Sequence, residues 1–364
     1  MKEAFPEHGG NLSWASERYG LAREDFIDFS SNVNPLGPPA VALQAAKDAL
    51  EMISRYPEPD CYSLKQSLAH HLCVPESTLV LGNGSSELIH HVVRCLRPSG
   101  VTVVAPAFGE YERAAGAAGI DCFTFPLSAS DDFTLDGGGL ADLGSRTDML
   151  FFCNPSSPSG ILYKREALAP ALEALRERGG TLVIDESFMG FCPPDKAARA
   201  SMVPEVSRGN LLVISTLTKI FALAGVRGPG FLVGSDDIAR ELERKAVPWR
   251  VNSVASAAGE AALRDDEYIR RTREMVPVWR EEVKNGLEES GFFEAYPSEA
   301  NFLLLRLLDE RADGFELTEE LGRKGILVRN CFNFSGLDPG FIRVAVLSAE
   351  KNAALVNAVM DVLG

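Results

Sequence analysis

Two hydrophobic periods alternate along the middle of this 364-residue chain. Short, mostly apolar runs recur at Leu79–Leu81, Val101–Val104, Cys122–Phe125, Met149–Phe152, Thr181–Ile184, Leu211–Ile214 and Phe231–Val233. Between them lie stretches with apolar residues at helical spacing, at 63–72, 85–96, 109–118 and 164–178. Strands apolar on both faces and interleaved with helices predict an α/β fold with a mostly parallel sheet covered on both sides. Past Asp236 the pattern is helical to about residue 290, with Pro248 and Pro277 expected to interrupt it. The C-terminal part mixes strands at Asn301–Leu305 and Ile342–Val346 with helices near 315–323 and 349–362, which predicts a smaller α+β unit.

The first forty residues read as irregular, because HGGN at 8–11 and FSSNVNPLGPP at 29–39 are turn and extended-chain signals. A helix over 40–53 and the break RYPEPD at 55–60 follow. The expected organisation is an N-terminal segment, 1–50, joining a small domain formed by 266–364, around a large domain of 51–265.

Composition narrows the function. Hydrophobic residues make up 46% and charged residues 24%, an ordinary globular balance. A net charge of −15 argues against nucleic acid and anionic membrane as partners, since either needs a basic face. It leaves room for a local pocket that takes a small phosphorylated metabolite. Seven cysteines lie scattered without CxxC spacing, and no apolar leader opens the chain, so a cytoplasmic protein with reduced thiols is expected. Histidines adjacent in sequence, His70-His71 and His90-His91, point to different sides of a helix, and no metal site is expected of them.

Ligands of an open parallel sheet bind beyond the carboxyl ends of its strands. Four candidates stand there: Gly84-Ser85-Ser86 after the first run, Asn154 after Phe152, Asp185 after Ile184, and Lys219 after Ile214. Together they suit pyridoxal 5'-phosphate. Gly84, Ser85 and Ser86 at a helix start offer amides and hydroxyls to its phosphate, and Thr216, Thr218 and Arg227 add hydroxyls and a cation. A buried Asp185 would keep the ring nitrogen protonated, Asn154 would donate to the ring oxygen, and Phe108 would lie on the ring face. Lys219 would bond the cofactor's aldehyde. Two other readings fail on spacing. GNGSSE at 82–87 lacks the third glycine of a dinucleotide fingerprint, and LVIDE at 182–186 has no GxxxxGK[ST] partner as an NTPase would.

NPSSPSG at 154–160, VIDESF at 183–188 and STLTK at 215–219 with Arg227 resemble the fold-type I pyridoxal-phosphate enzymes of the class I/II aminotransferase superfamily. HGGN, DFSSNVNPLGPP at 28–39, RYPEPD, VPWRVN at 247–252, ANFLLLR at 300–306 and ILVRNCFNFSGLD at 326–338 are similar to one branch of it, the threonine-phosphate decarboxylases of cobalamin biosynthesis. The resemblance spans nearly the whole chain. It implies a homodimer with shared active sites, in which Tyr56 reaches the cofactor phosphate of the neighbouring subunit. It implies His8, Ser31, Asn32, Asn154, Arg329 and Arg343 as substrate-binding residues, with the anion held by each arginine left open. The chain departs from the family at Ser156-Ser157-Pro158-Ser159-Gly160 and by an extra residue around Gly228-Pro229-Gly230. Phe188, where related aminotransferases carry tyrosine, favours decarboxylation over the alternative, histidinol-phosphate or another amino-acid transamination. A pyridoxal-phosphate-binding transcription regulator would need a winged-helix domain, and the acidic balance disfavours DNA.

Overall fold

The computed structural model describes residues 5–309 and 313–364. The seven apolar runs form one sheet, in the order Leu79–Gly82, Gly230–Val233, Leu211–Thr216, Thr181–Asp185, Met149–Cys153, Gly100–Ala105 and Asp121–Pro126. All neighbours pair parallel except Gly230–Val233, which runs antiparallel to both of its neighbours. Alternate side chains of each strand point to opposite faces. Val80, Val103, Phe151, Val183, Leu212 and Leu232 therefore join one core, under the helices Gly84–Leu96, Glu110–Ala117 and Asp236–Lys245. Leu81, Val104, Phe152, Ile184, Val213 and Phe231 join the other, under Tyr62–Leu72, Gly137–Gly144, Arg165–Arg178 and Ser253–Ala262. Cover on both faces is what the uninterrupted apolar runs require.

The C-terminal part builds a four-stranded antiparallel sheet, ordered Arg329–Asn330, Phe341–Ala345, Phe302–Leu307 and Phe293–Ala295. The N-terminal segment joins it: Ile27–Asp28 pairs parallel with Ile326–Leu327, and the Ala345 amide donates to the Phe29 carbonyl at 2.8 Å.

Two expectations need correction. The first forty residues are not wholly irregular, since Leu12–Tyr19 is a helix. The Asn11 side chain caps it and Gly20, at φ +72°, ends it. Its sequence, LSWASERY, has too little apolar content for the period to show. Pro277 does not interrupt a helix either, for Asp266–Glu289 runs through it. A proline removes one backbone bond, and this helix keeps its place by burying Tyr268, Ile269, Thr272, Val276, Val283 and Leu287 on one stripe. Pro248 does fall in a break, between Asp236–Lys245 and Ser253–Ala262.

Candidate active site

The carboxyl ends of the parallel strands open on a cavity of about 1010 Å³ that reaches across to the C-terminal sheet. Lys219 stands in its wall one turn after the strand Leu211–Thr216. The amine is pushed down to about 8, chiefly by burial and next by the Arg343 guanidinium, with Asp185 working the other way. A neutral amine is the nucleophilic form, so this environment favours bond formation near neutral pH.

Asp185 ends its strand buried, 4% exposed. The Ser187 amide donates to Oδ1 at 2.9 Å and the Tyr111 hydroxyl donates to Oδ2 at 2.8 Å. Burial pushes this carboxyl up, and the two donors oppose the rise. Tyr111 stacks on Phe151 and meets Phe108 edge to face, with centroids 5.0 and 6.0 Å apart. Phe108 lines the cavity as expected.

At the opposite rim, Gly84 opens its helix at φ +80°, and Ser85 and Ser86 follow in the first turn. A Cβ on Gly84 would stand 3.3 Å from the Arg227 guanidinium, so the missing side chain leaves a cradle between a helix start and a cation. Arg227 has left-handed backbone, φ +59°, which is strained for a residue with a Cβ. The turn after it is stitched down. Thr218 donates to the Gly228 carbonyl at 3.0 Å, and Thr216 to the Pro229 carbonyl at 3.1 Å. Both hydroxyls line the cavity, yet each already has a partner in this loop. These hydrogen bonds pin Gly228-Pro229-Gly230 to the turn that carries Lys219.

Ser31, Asn32, Arg329, Arg343 and His8 line the same cavity. Arg329 and Arg343 are cross-strand partners. Arg343 lies over the Phe302 ring at 5.3 Å and donates to Ser157 Oγ and to the Ser30 carbonyl, both at 3.2 Å. With its amide oxygen assigned to the arginine side on hydrogen-bond geometry, Asn32 accepts from Arg343 at 3.1 and 3.3 Å. Burial pushes Arg343 down to about 10. Arg329 donates to the Glu7 carbonyl and to Asn333, at 2.5 and 2.7 Å, and lies over Phe334.

Asn154 is fully buried beyond the end of its strand. Its side-chain amide donates one N–H to the Tyr163 carbonyl at 2.9 Å, and its oxygen accepts from the Tyr163 amide at 2.8 Å. That fixes the plane of the amide and leaves its second N–H for another acceptor. Ser157, three residues on, lines the cavity. Tyr56 lies outside the cavity, 82% exposed, with its ring 4.9 Å from that of Trp249. Phe188 packs edge-on against Phe302 at 4.9 Å and faces the cavity.

Sequence reading passed over Tyr111, Ser157, Ser187 and Glu110, all of which line the cavity. Tyr111 could have been found, since it follows Phe108 by three residues, one helical turn. Ser187 gave a fainter signal, two residues after Asp185. Its hydroxyl is buried without a partner, which leaves a donor for a polar atom in the cavity. The lysine, the buried acid, the glycine cradle and that spare hydroxyl fit a phosphate-bearing aromatic aldehyde.

Comparison with known proteins agrees with this geometry. Residues 24–359 match the family model for aminotransferase class I and II. The chain is 36% identical to a threonine-phosphate decarboxylase of Salmonella typhimurium, over 98% of this chain and 96% of that protein. It is 32% identical to a histidinol-phosphate aminotransferase of Moorella thermoacetica, over 94% and 87%. Among solved structures, the histidinol-phosphate aminotransferase of Clostridium acetobutylicum superimposes with a TM-score of 0.84 at 29% identity, over 92% of this chain and 98% of that one. The chain belongs to the class I and II aminotransferase family.

Proposed function

We propose that this protein is a pyridoxal-phosphate-dependent carboxy-lyase. Its reaction removes CO₂ from L-threonine O-3-phosphate to give (R)-1-amino-2-propanol O-2-phosphate, a component of cobalamin biosynthesis. The observation that carries this reading is the pairing of Arg329 and Arg343 on adjacent strands, both facing the cavity that holds Lys219. Two guanidiniums suit an amine that bears two anions, a carboxylate and a phosphate. Histidinol phosphate has only the second, and glutamate, its partner in transamination, has two carboxylates and no phosphate. Likeness to the Salmonella decarboxylase supports the same choice.

The cofactor, when bound, supplies an electron-accepting ring for the pair left behind when the bond from the α-carbon to the carboxylate breaks. Gly84, Ser85, Ser86 and Arg227 would hold its phosphate, Asp185 its ring nitrogen, and Phe108 its face. Arg343, with Asn32 beside it, grips the carboxylate. Arg329, Ser31 and His8 would grip the substrate phosphate, and so set the direction in which the carboxylate points. Remote binding energy is thereby used to orient the bond that breaks. Lys219 would hold a proton at Nζ and donate it to the α-carbon in place of the departed CO₂.

The division at about residues 50 and 265 would set the cofactor grip in the large domain and the arginine pair in the small one. A homodimer would cover the exposed apolar residues Val41, Leu50, Ile53, Tyr56, Val247 and Trp249, and would carry Tyr56 to the neighbouring site. Among the described residues no helix is long and apolar enough to cross a membrane. A cytoplasmic location is part of the same proposal.

The test is an assay of the purified, cofactor-loaded protein with threonine phosphate, trapping CO₂, beside glutamate-linked transamination of histidinol phosphate. CO₂ release without transamination is the expected result. The reverse would establish the aminotransferase reading, which the Moorella relative supports.

A further inference from the structure

We infer that Glu110 is a positioning residue for recognition of the substrate phosphate, acting through His8; this rests on the decarboxylase reading above. Glu110 begins the helix Glu110–Ala117 at the cavity mouth, and its side chain is only 12% exposed. Three cationic or cation-forming side chains meet on its carboxylate. His90 Nε2 lies 3.1 Å from Oε2, His8 Nε2 lies 3.4 Å from Oε1, and Arg113 Nε lies 3.4 Å from Oε1.

His8 needs such a hold. It sits on a strap, residues 5–11, that crosses between the two halves of the molecule. The C-terminal half grips the strap by its backbone. Arg329 and Asn333 donate to the Glu7 carbonyl, and the Gly10 amide donates to Ser30 Oγ at 2.8 Å. On the sheet side the strap is held by side chains only, through Glu7 to Arg113 and His8 to Glu110. The His8 side chain is 49% exposed, and its one ring contact is Phe108, with centroids 5.9 Å apart. An imidazole that open would sample several rotamers, and ordering it costs entropy that a fixed carboxylate can offset. His90 holds that carboxylate from behind, on the helix that begins with Gly84, Ser85 and Ser86. A bare carboxylate at the mouth would repel a phosphate, but here His8 and Arg113 both stand on it.

The test uses the cofactor-loaded enzyme with threonine phosphate and, as a ligand without the phosphate, threonine. Glu110→Gln should raise KM for threonine phosphate about fivefold, the scale of one lost half-exposed charge contact, with kcat within about twofold. Glu110→Asp should recover part of the loss, and threonine binding, followed by the cofactor absorbance, should not change. His8→Ala should raise KM by a similar factor. The double variant should be no worse than His8→Ala alone, because the two residues act as one unit. Additive effects, or weakened cofactor or threonine binding in Glu110→Gln, would show a general structural role and overturn the inference. An unchanged KM in Glu110→Gln would overturn it too. If the unaltered enzyme neither binds nor turns over threonine phosphate, the decarboxylase reading itself fails, which is a separate result.

Discussion

The Tyr111 hydroxyl donates to Asp185 Oδ2 at 2.8 Å, deep in the wall of the cavity. With the Ser187 amide on Oδ1, it fixes the plane of the carboxylate from both oxygens. Asp185 is expected to serve as the counter-charge for a protonated ring nitrogen. A carboxylate that rotated, or took up a proton in response to its burial, would lose that capacity. Tyr111 would thus act on a bound cofactor through Asp185.

Replacing Tyr111 with Phe keeps the stack on Phe151 and removes only the donor. The variant should lose about 1–3 kcal/mol of stability from the buried, under-bonded carboxylate. Its kcat should fall about tenfold as the ring nitrogen is less well held. Urea denaturation and steady-state kinetics check the two halves separately. A native kcat would mean that Asp185 needs no help from Tyr111.

Gly84→Ala tests the phosphate cradle. The added Cβ meets the Arg227 guanidinium and must also adopt a positive φ, a cost of about 1 kcal/mol in its own right. Cofactor affinity should fall at least about tenfold by absorbance titration, one phosphate hydrogen bond or more being lost. Unaltered affinity would place the phosphate elsewhere.

Lys219 ties stability to pH in the cofactor-free protein. Its amine sits at about 8 when folded, below the ordinary value of 10.5. Between those two values the unfolded chain binds more protons, so stability should climb as pH rises through that window and level off above it. Lys219→Met should flatten the climb, and should abolish both turnover and the visible absorbance of bound cofactor. Denaturation midpoints between pH 7 and 11 provide the check.

The two arginines can be told apart with the product itself, which keeps the phosphate and lacks the carboxylate. Arg329→Gln should weaken inhibition by 1-amino-2-propanol phosphate about a hundredfold, the scale of a lost charge-assisted pair. Arg343→Gln should leave that inhibition within about threefold while lowering kcat/KM for threonine phosphate by about a hundredfold or more. The opposite pattern would exchange their roles.

Asn154→Ala separates a wall residue from a ligand. Loss of two bonds to the Tyr163 backbone should cost about 2–4 kcal/mol, and loss of the second N–H should shift the absorbance maximum of bound cofactor. An unchanged spectrum in a stable variant would confine Asn154 to the wall.

The inner strands of the large sheet were legible because burial on both faces keeps each short run almost wholly apolar, and their ends then pointed to Asp185 and Lys219. The helix Leu12–Tyr19 was not, since capping by Asn11 and Gly20 defines it more than any apolar stripe. Asn154 was legible only in part: its place after a strand end shows in the sequence, but its two bonds to Tyr163, nine residues away, leave no sign in the spacing. Glu110 escaped because its partners, His8 and His90, come from segments far apart in the chain.

The back-to-back glycines at the sheet's edge carry one more consequence. A Cβ on Gly230 would lie 2.4 Å from the Gly84 carbonyl carbon, and the two strands that bring them together are separated by some 150 residues of intervening chain. Arg227 can face the cradle only when both of these strands are in place. A phosphate held there would therefore bind the completed sheet and stabilise it over any form in which the two strands have not yet met.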